Sequence, residues 1–246
     1  MEIAGKSVLV TGANRGIGRA LVEELLDRGV GRVYAGSRKP FAHTDWRVVP
    51  LALDVTRRDQ VEAAAAAVSA LDVLINNAGI ALGDDLSDTD ALDRHFAVNL
   101  FGPWSMVQAF LPQLVRARGA IVNNLSLAAF APLPVVPAYS ISKAAAFSLT
   151  QSLRALLGGR GVSVHAVLTG PVDTDMTRGF DIPKTAPQLV AQGILDGLAR
   201  GEEEIFPDPM SASMAESWRG GAAKALERMN AAMVPAASAP AVAVAS

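Results

Sequence analysis

The stretch SVLVTGANRGIG, residues 7–18, predicts a buried β-strand that turns through glycines into an α-helix. Gly12, Gly16 and Gly18 follow the apolar run, and a helical pattern over residues 18–28 opens directly after it. Glycine lets a backbone turn sharply and approach a pyrophosphate, and the free N–H groups at a helix N-terminus attract its charge. The spacing Gly-x-x-x-Gly-x-Gly differs from the commoner G-x-G-x-x-G, so the glycines could also form only a tight turn.

Six further apolar runs have the length and β-branched content of strands. With the first run, the predicted strands are 7–12, 32–37, 48–55, 72–79, 120–126, 163–170 and 203–207. Most are apolar on both faces, as in a parallel sheet covered by helices on each side. Helices are predicted over 18–28, 58–71 and 138–157.

This alternation predicts an α/β protein with a doubly wound, seven-stranded parallel sheet, a Rossmann fold. We expect a single domain over residues 1–232, because no linker or internal repeat divides the chain. Residues 233–246 have no charge and no periodic pattern, which predicts a flexible tail.

The composition excludes several classes of function. The 246 residues are 50% hydrophobic with a formal net charge of -2, which favours neither nucleic acid nor an anionic membrane as a partner. The chain has no Cys and three scattered His, so we expect no metal site. The apolar run before Gly12 is too short for a secretory signal, and we expect a cytoplasmic protein. The uncharged stretch 119–142 contains Asn and Pro, and is interpreted as a buried strand followed by a loop.

The end of the second predicted strand indicates which dinucleotide would bind. Folds that bind NAD usually present an acidic residue there to the ribose 2′-hydroxyl, but this strand ends in Ser37 and Arg38. Arg38, together with Arg15 in the glycine loop, would offer guanidinium groups to a 2′-phosphate. The sequence therefore predicts NADP(H) rather than NAD(H), the alternative being that both arginines are ordinary solvated side chains.

Tyr139 and Lys143 lie four residues apart on a predicted helix, which places the phenol and the ammonium one turn apart on one face. A phenol with a pKa of about 10 needs about 4 kcal/mol of stabilisation of its anion to act near neutral pH. One cation about 5 Å away supplies about 3 kcal/mol at an effective dielectric constant near 20. Lys143 is thus expected to lower the pKa of Tyr139, unless the pair is merely a surface Tyr beside a Lys.

Other polar residues are predicted to meet at the same edge of the sheet. Ser126 ends the strand 120–126, Asn76 and Asn77 end the preceding one, and Asn99 lies in the helical stretch between them. Ligands gather at the carboxyl ends of strands in open α/β sheets. Each residue could instead only satisfy loop backbone groups.

Taken together, these motifs resemble the short-chain dehydrogenase/reductase family, and among its members the NADP(H)-preferring carbonyl reductases and alcohol dehydrogenases. The resemblance covers about residues 5–210 and rests on TGANRGIG (11–18), NNAG (76–79), VNLFG (98–102), Ser126 thirteen positions before Tyr139, and YSISK (139–143). One departure is visible, because Thr169-Gly170 stands where the family has Pro-Gly.

The resemblance implies a mechanism in which hydride passes between the nicotinamide and a substrate carbonyl or carbinol carbon. Tyr139 would exchange the proton, Ser126 would bond the substrate oxygen, and Lys143 would hold the nicotinamide ribose and lower the pKa of the phenol. Asn99 would position a water in a proton relay. The expected contacts to NADP(H) are Gly12, Asn14, Arg15, Gly16, Ile17, Gly18, Ser37, Arg38, Asp54, Val55, Asn77, Ala78, Gly79, Tyr139, Lys143, Gly170, Val172 and Thr174.

The candidate substrate pocket is apolar, which favours a small to medium hydrophobic ketone, aldehyde or alcohol. Its predicted lining is Leu127, Phe130, Leu133, Val136, Met176 and Phe180. Residues 175–200 could form a lid over it. Two alternatives remain at this point: reduction of a carrier-tethered 3-oxoacyl chain, and a regulatory protein that binds the cofactor without turnover. The family further implies a homodimer or homotetramer formed through helices within 96–115 and 138–157.

Overall fold

The computed structural model describes residues 1–87 and 89–234 and contains one seven-stranded parallel sheet. The strands are β1 (Ser7–Thr11), β2 (Arg32–Ser37), β3 (Val48–Ala52), β4 (Val73–Asn76), β5 (Ala120–Asn124), β6 (Ser163–Val167) and β7 (Glu204–Ile205). Their order in the sheet is β3-β2-β1-β4-β5-β6-β7. The predicted fold class and all seven strands are confirmed. Most observed strands end before their predicted carboxyl ends, because those residues leave the sheet to form loops.

Helices cover both faces of the sheet. They are α1 (Gly16–Asp27), α2 (Arg58–Ala67), α3 (Thr89–Phe96), α4 (Gly102–Ala117), α5 (Pro137–Gly158), α6 (Pro187–Arg200), α7 (Pro209–Ala212), α8 (Ala215–Arg219) and α9 (Ala222–Ala231). A π-helical turn, Ala97–Phe101, joins α3 to α4. Among the helices of the described residues, none is long and apolar enough to cross a membrane. The predicted tail lies outside the described residues from residue 235 onward.

Alternation along the central strands divides the core between the two faces. Val8 and Val10 of β1 belong to a buried cluster that includes side chains of α1 and α6. Leu9 points the other way, into a cluster that includes side chains of α2, α4 and α5. Successive side chains of a strand alternate between faces, so both faces of a central strand must be apolar when helices cover both.

The direction in which the chain leaves β1 fixes the position of the site. From β1 the sheet grows outward through β2 and β3, and then the chain crosses back to place β4 on the other side of β1. At such a switch point the connections leave in opposite directions and open a crevice at the carboxyl ends of the strands. The segments that follow β1 and β4 are the predicted glycine loop and the NNAG motif.

A buried ion cluster holds the C-terminal helices on the edge of the sheet. Lys224 of α9 is 1% exposed, and its Nζ lies 2.7 Å from Glu203, 2.9 Å from Glu204 and 3.1 Å from Glu227. Arg154 of α5 pairs with Glu204 at 2.8 Å and also with Glu227. The cluster therefore joins α5, β7 and α9.

Replacing Lys224 with Met is expected to lower the free energy of unfolding by about 3–5 kcal/mol, because it keeps the side-chain volume but leaves Arg154 as the one cation of the cluster for the buried Glu204 and for Glu227. Denaturant unfolding monitored by circular dichroism measures the change. Arg58→Ala is the matched control, since it breaks a pair with Glu62 on the exposed face of α2 and should leave stability nearly unchanged. Equal stability of the Lys224 variant and the wild type would contradict the role given to the cluster.

Candidate active site

A cavity of about 800 Å³ opens at the carboxyl ends of the strands, within the size range typical of cofactor sites. Every residue predicted to contact NADP(H) lines it, from Gly12 in the glycine loop to Thr174 after β6. Ser126 and all six predicted substrate contacts line it as well. Asn99 does not reach the cavity surface. The fold thus brings together nearly all of the predicted site residues.

The glycine loop is shaped by close backbone approach. Gly12 has a φ of 66°, and a Cβ added to Gly18 would lie 2.2 Å from the carbonyl oxygen of Gly12. A side chain at Gly18 would therefore force the loop away from the helix that begins at Gly16. The first turn of α1 carries no acidic side chain, so its N–H groups and positive dipole end remain available to an anion. These features fit the pyrophosphate of a dinucleotide.

Thr11 and Asn77 tie together the ends of β1 and β4. The Oγ1 of Thr11 accepts hydrogen bonds from the backbone N–H groups of Asn77 and Ala78, at 2.9 and 3.0 Å. The Nδ2 of Asn77 donates back to the carbonyl oxygen of Thr11 at 3.0 Å. The floor of the cavity between the glycine loop and the NNAG motif is therefore fixed by side-chain hydrogen bonds.

The two predicted phosphate-binding arginines differ in their surroundings. Arg38 is exposed, and in residues 1–87 and 89–234 it makes no ion pair. Arg15 pairs with Asp175, with 3.2 Å between Nη1 and Oδ2. Ser37 is buried, and its hydroxyl donates to the carbonyl oxygen of Lys39 at 2.8 Å, which shapes the turn after β2. No acidic side chain stands at this turn.

Tyr139 and Lys143 lie in the first two turns of α5 and face Ser126. Tyr139 is hydrogen-bonded to the side chain of Ser126. The Lys143 side chain is buried, with its Nζ 5.6 Å from the centroid of the Tyr139 ring and 2.8 Å from the carbonyl oxygen of Asn124, to which it donates. The predicted spacing thus produces a phenol, a hydroxyl and an ammonium at one wall of the cavity.

Burial dominates the ionisation of both groups. Burial raises the pKa of Tyr139, and its hydrogen bond with Ser126 acts in the opposite direction. Burial lowers the pKa of Lys143 to about 8. The expected net lowering of the Tyr139 pKa is therefore wrong for this structure, because burial raises the pKa and the Lys143 ammonium donates to the carbonyl oxygen of Asn124. Tyr139 keeps its proton at neutral pH.

The Asn99 side chain lies behind the cavity wall and links two segments of the chain by hydrogen bonds. Its Oδ1 accepts from the N–H of Ile80 at 3.0 Å, and its Nδ2 donates to the carbonyl oxygen of Ile80 at 3.0 Å and to the Ser142 hydroxyl at 2.9 Å. Ser142 in turn donates to the carbonyl oxygen of Tyr139 at 2.7 Å. The Asn99 side chain thus joins the loop after β4 to the helix that carries Tyr139 and Lys143, and these contacts use its amide groups.

Asn124 connects α5 to the segment that follows β4, a link that the sequence did not indicate. Its carbonyl oxygen accepts from Lys143, and its Nδ2 donates to the Oδ1 of Asn77 at 2.9 Å. A chain of hydrogen bonds therefore runs from Thr11 through Asn77 and Asn124 to Lys143. The only sequence signal was a pair of asparagines at the end of an apolar strand.

Thr169 makes two contacts to the end of β5. Its hydroxyl donates to the carbonyl oxygen of Leu125 at 3.3 Å, and its own carbonyl oxygen accepts from the N–H of Leu127 at 3.0 Å. Both bonds flank Ser126. The neighbouring Gly170 N–H donates to the buried carboxylate of Asp208 at 2.8 Å. The loop that departs from the family pattern is therefore fixed on both sides.

The substrate end of the cavity has walls that the sequence did not predict. Met210 and Met214, from the segment after β7, line it beside Phe130. Phe130 stacks on Trp218 with 4.3 Å between ring centroids. The sequence signal for Met210 and Met214 was weak, since PDPMSASM (207–214) has neither strand nor helix periodicity.

The predicted lid over residues 175–200 is wrong in its second half, because α6 buries its apolar face against the sheet.

Comparison with known proteins agrees with this architecture. The family model described as short chain dehydrogenase matches residues 6–183. A short-chain dehydrogenase of Penicillium ochrochloron is 36% identical over 214 residues, 81% of this chain and 78% of that protein.

Solved structures show the same fold. A short-chain dehydrogenase from Burkholderia cenocepacia, crystallised in complex with NADP, is 38% identical with a TM-score of 0.85, over 93% of this chain and 98% of that one. One from Burkholderia phymatum, in complex with NAD, has a TM-score of 0.76 over 88% of this chain and 93% of its own, but its 23% identity supports the fold alone. The chain therefore belongs to the short-chain dehydrogenase/reductase family.

Proposed function

We propose that the protein is an NADP(H)-dependent oxidoreductase that interconverts a ketone or aldehyde and an alcohol on a small to medium hydrophobic substrate. The observation that carries this proposal is the meeting of Ser126, Tyr139 and Lys143 at one wall of the cavity that the glycine loop also lines. A site built only to bind a nucleotide would not need a protonated phenol hydrogen-bonded to a serine hydroxyl next to a buried ammonium. The arrangement instead suits proton exchange at a carbonyl oxygen.

The chain offers complementary groups along the length of a dinucleotide. The N–H groups at the start of α1 would bind the pyrophosphate, Asp54 and Val55 would hold the adenine, and Ala78 and Gly79 would hold a ribose. A bound nicotinamide supplies the hydride acceptor or donor. Gly170, Val172 and Thr174 contact the nicotinamide end of the cofactor.

Each polar residue of the site has a separate role in reduction. Ser126 donates a hydrogen bond to the substrate carbonyl oxygen and orients it. Tyr139 delivers its proton to that oxygen as negative charge develops there. Lys143 binds the nicotinamide ribose and stabilises the phenolate left on Tyr139. Asn99 holds the helix of Tyr139 and Lys143 in place through its hydrogen bond to Ser142.

The proposed preference for NADP(H) over NAD(H) rests on positive charge where the adenosine of the cofactor would bind. Arg15 and Arg38 provide two guanidinium groups, and no carboxylate competes at the turn after β2 for a ribose hydroxyl. The Burkholderia cenocepacia relative, which was crystallised with NADP, supports the same choice. A 2′-phosphate would lie near two arginine side chains rather than against an acid.

The class of substrate is inferred from the residues that line the substrate end of the cavity. Leu127, Phe130, Leu133, Val136, Met176 and Phe180 surround Ser126 with apolar surface. Arg178 near this end is exposed and paired with Asp175 instead of pointing at a substrate. A hydrophobic carbonyl compound is therefore favoured over one that carries a carboxylate or phosphate.

The assembly and location are part of the same proposal. Phe101 at the end of the π-helical turn and Trp104 of α4 are 55% and 47% exposed, and exposed apolar surface of this kind is typical of subunit contacts. A homodimer or homotetramer formed through α4 and α5 would cover it. We place the enzyme in the cytoplasm, with no nucleic acid or membrane as partner.

Replacing Tyr139 with Phe is expected to reduce the rate of NADPH oxidation by about 10²–10⁴ while NADPH still binds, because the ring remains and only the hydroxyl that donates the proton is lost. The rate is measured in a screen of aromatic, aliphatic and steroid-like ketones. Tyr34→Phe is the matched control, since Tyr34 is the other tyrosine and lies on β2 away from the cavity. Full activity of Tyr139→Phe would exclude the assigned proton donor.

The rate of carbonyl reduction is expected to be constant below neutral pH and to fall above about pH 8, where Lys143 loses its proton. The sign follows because a neutral amine no longer stabilises the phenolate, whereas Tyr139, with a raised pKa, stays protonated over this range. Steady-state kcat/KM against pH measures it. In Lys143→Arg the remaining activity should lack this decline, because a guanidinium keeps its charge. A wild-type profile that stays flat through pH 10 would contradict the role of Lys143.

A further inference from the structure

An exposed ion pair joins the glycine loop to the segment after Thr174. Arg15 is the N-cap residue of α1, and Asp175 begins the 3₁₀ turn Asp175–Thr177. Arg15 Nη1 donates to Asp175 Oδ2 at 3.2 Å. Both residues line the cavity, so the pair connects two separate segments of its wall.

Arg15 can leave Asp175 and bind another anion instead. The two side chains are 63% and 46% exposed, and exposed ion pairs are weak because water and salt screen them. Asp175 also pairs with Arg178, which is more exposed still. Arg15 can therefore leave without depriving the carboxylate of its remaining cation.

Arg38, the other arginine predicted to bind the phosphate, differs from Arg15 in its ion pairing. Across the described ranges, 1–87 and 89–234, no carboxylate lies within ion-pair distance of its guanidinium. Arg38 can meet an incoming anion without giving up a partner, whereas Arg15 must first release Asp175. The two arginines therefore differ in what they contribute to binding a phosphate.

We propose that Asp175 is a specificity-determining residue that competes with the 2′-phosphate of NADP(H) for Arg15. This inference rests on the proposed function, in which Arg15 and Arg38 bind that phosphate. A phosphate monoester carries a charge of about −1.5 to −2 near neutral pH and accepts bidentate hydrogen bonds, so it takes the guanidinium from a single carboxylate. NAD(H), which has a hydroxyl there, leaves Arg15 on Asp175. Asp175 therefore weakens the binding of NADP(H) selectively and moderates the preference of the site.

Asp175 has a second effect that must be separated from the first. Its negative charge also repels the pyrophosphate, which NADPH and NADH share. That repulsion changes both dissociation constants by the same factor and cancels in their ratio. Competition for Arg15 acts on NADPH alone, so the ratio of the Kd for NADH to the Kd for NADPH isolates it.

The test measures both dissociation constants by isothermal titration calorimetry for the wild type and Asp175→Asn. The ratio should rise about two- to fivefold in Asp175→Asn, the range that loss of an exposed ion pair allows. Asp173→Asn is the matched control, because Asp173 is exposed in the same segment and loses the same charge. The ratio should stay at the wild-type value in this control, and Asp175→Asn should have no effect on it in an Arg15→Gln background.

Each other outcome overturns a defined part of the account. An unchanged ratio in Asp175→Asn, an equal rise in Asp173→Asn, or the same rise in the Arg15→Gln background would overturn the competition and leave the proposed function intact. A wild type that binds neither nucleotide, or binds NADH more tightly, would contradict the proposed cofactor itself, and the inference would fall with it.

Discussion

The hydrogen-bonded path from Thr11 through Asn77 and Asn124 to Lys143 is the constraint on which the site depends. It crosses the carboxyl ends of β1, β4 and β5, which are adjacent in the sheet. The glycine loop and the helix of Tyr139 are far apart in sequence, so they must be held in register by contacts of this kind. The half-buried side-chain amide of Asn77 suits the task because it donates to Thr11 and accepts from Asn124 at once.

The path ends at Lys143, and burial of this end of the path determines how the side chains there ionise. Lys143 is buried and, within residues 1–87 and 89–234, has no carboxylate partner, so desolvation lowers its pKa to about 8; burial also raises the pKa of Tyr139. Both groups therefore hold their protons at neutral pH, which is the state that the proposed reduction of a carbonyl requires. In the proposed reaction, proton transfer would leave a phenolate on Tyr139, which the Lys143 ammonium, 5.6 Å from the ring centroid, would stabilise.

The sequence predicted what local rules determine. The seven strands followed from their apolar runs, and the glycine loop from Gly12, Gly16 and Gly18, of which Gly18 has no room for a Cβ beside the carbonyl oxygen of Gly12. Tyr139 and Lys143 followed from helical spacing. Contacts made by distant segments were not predictable: Asp175 against Arg15, Asp208 against Gly170, and Met210 in the substrate wall all depend on tertiary placement. The direction of the Tyr139 pKa was missed because burial of a side chain cannot be read from spacing.

The central claim is that one cavity joins nucleotide binding to reduction of a carbonyl carbon. Isotope transfer tests it most directly, using NADPH that carries deuterium at both C4 positions of the nicotinamide, an apolar ketone substrate and mass spectrometry of the alcohol formed. The account predicts one deuterium on the carbinol carbon of the product. Alcohol formed without deuterium, or label released to water, would contradict it.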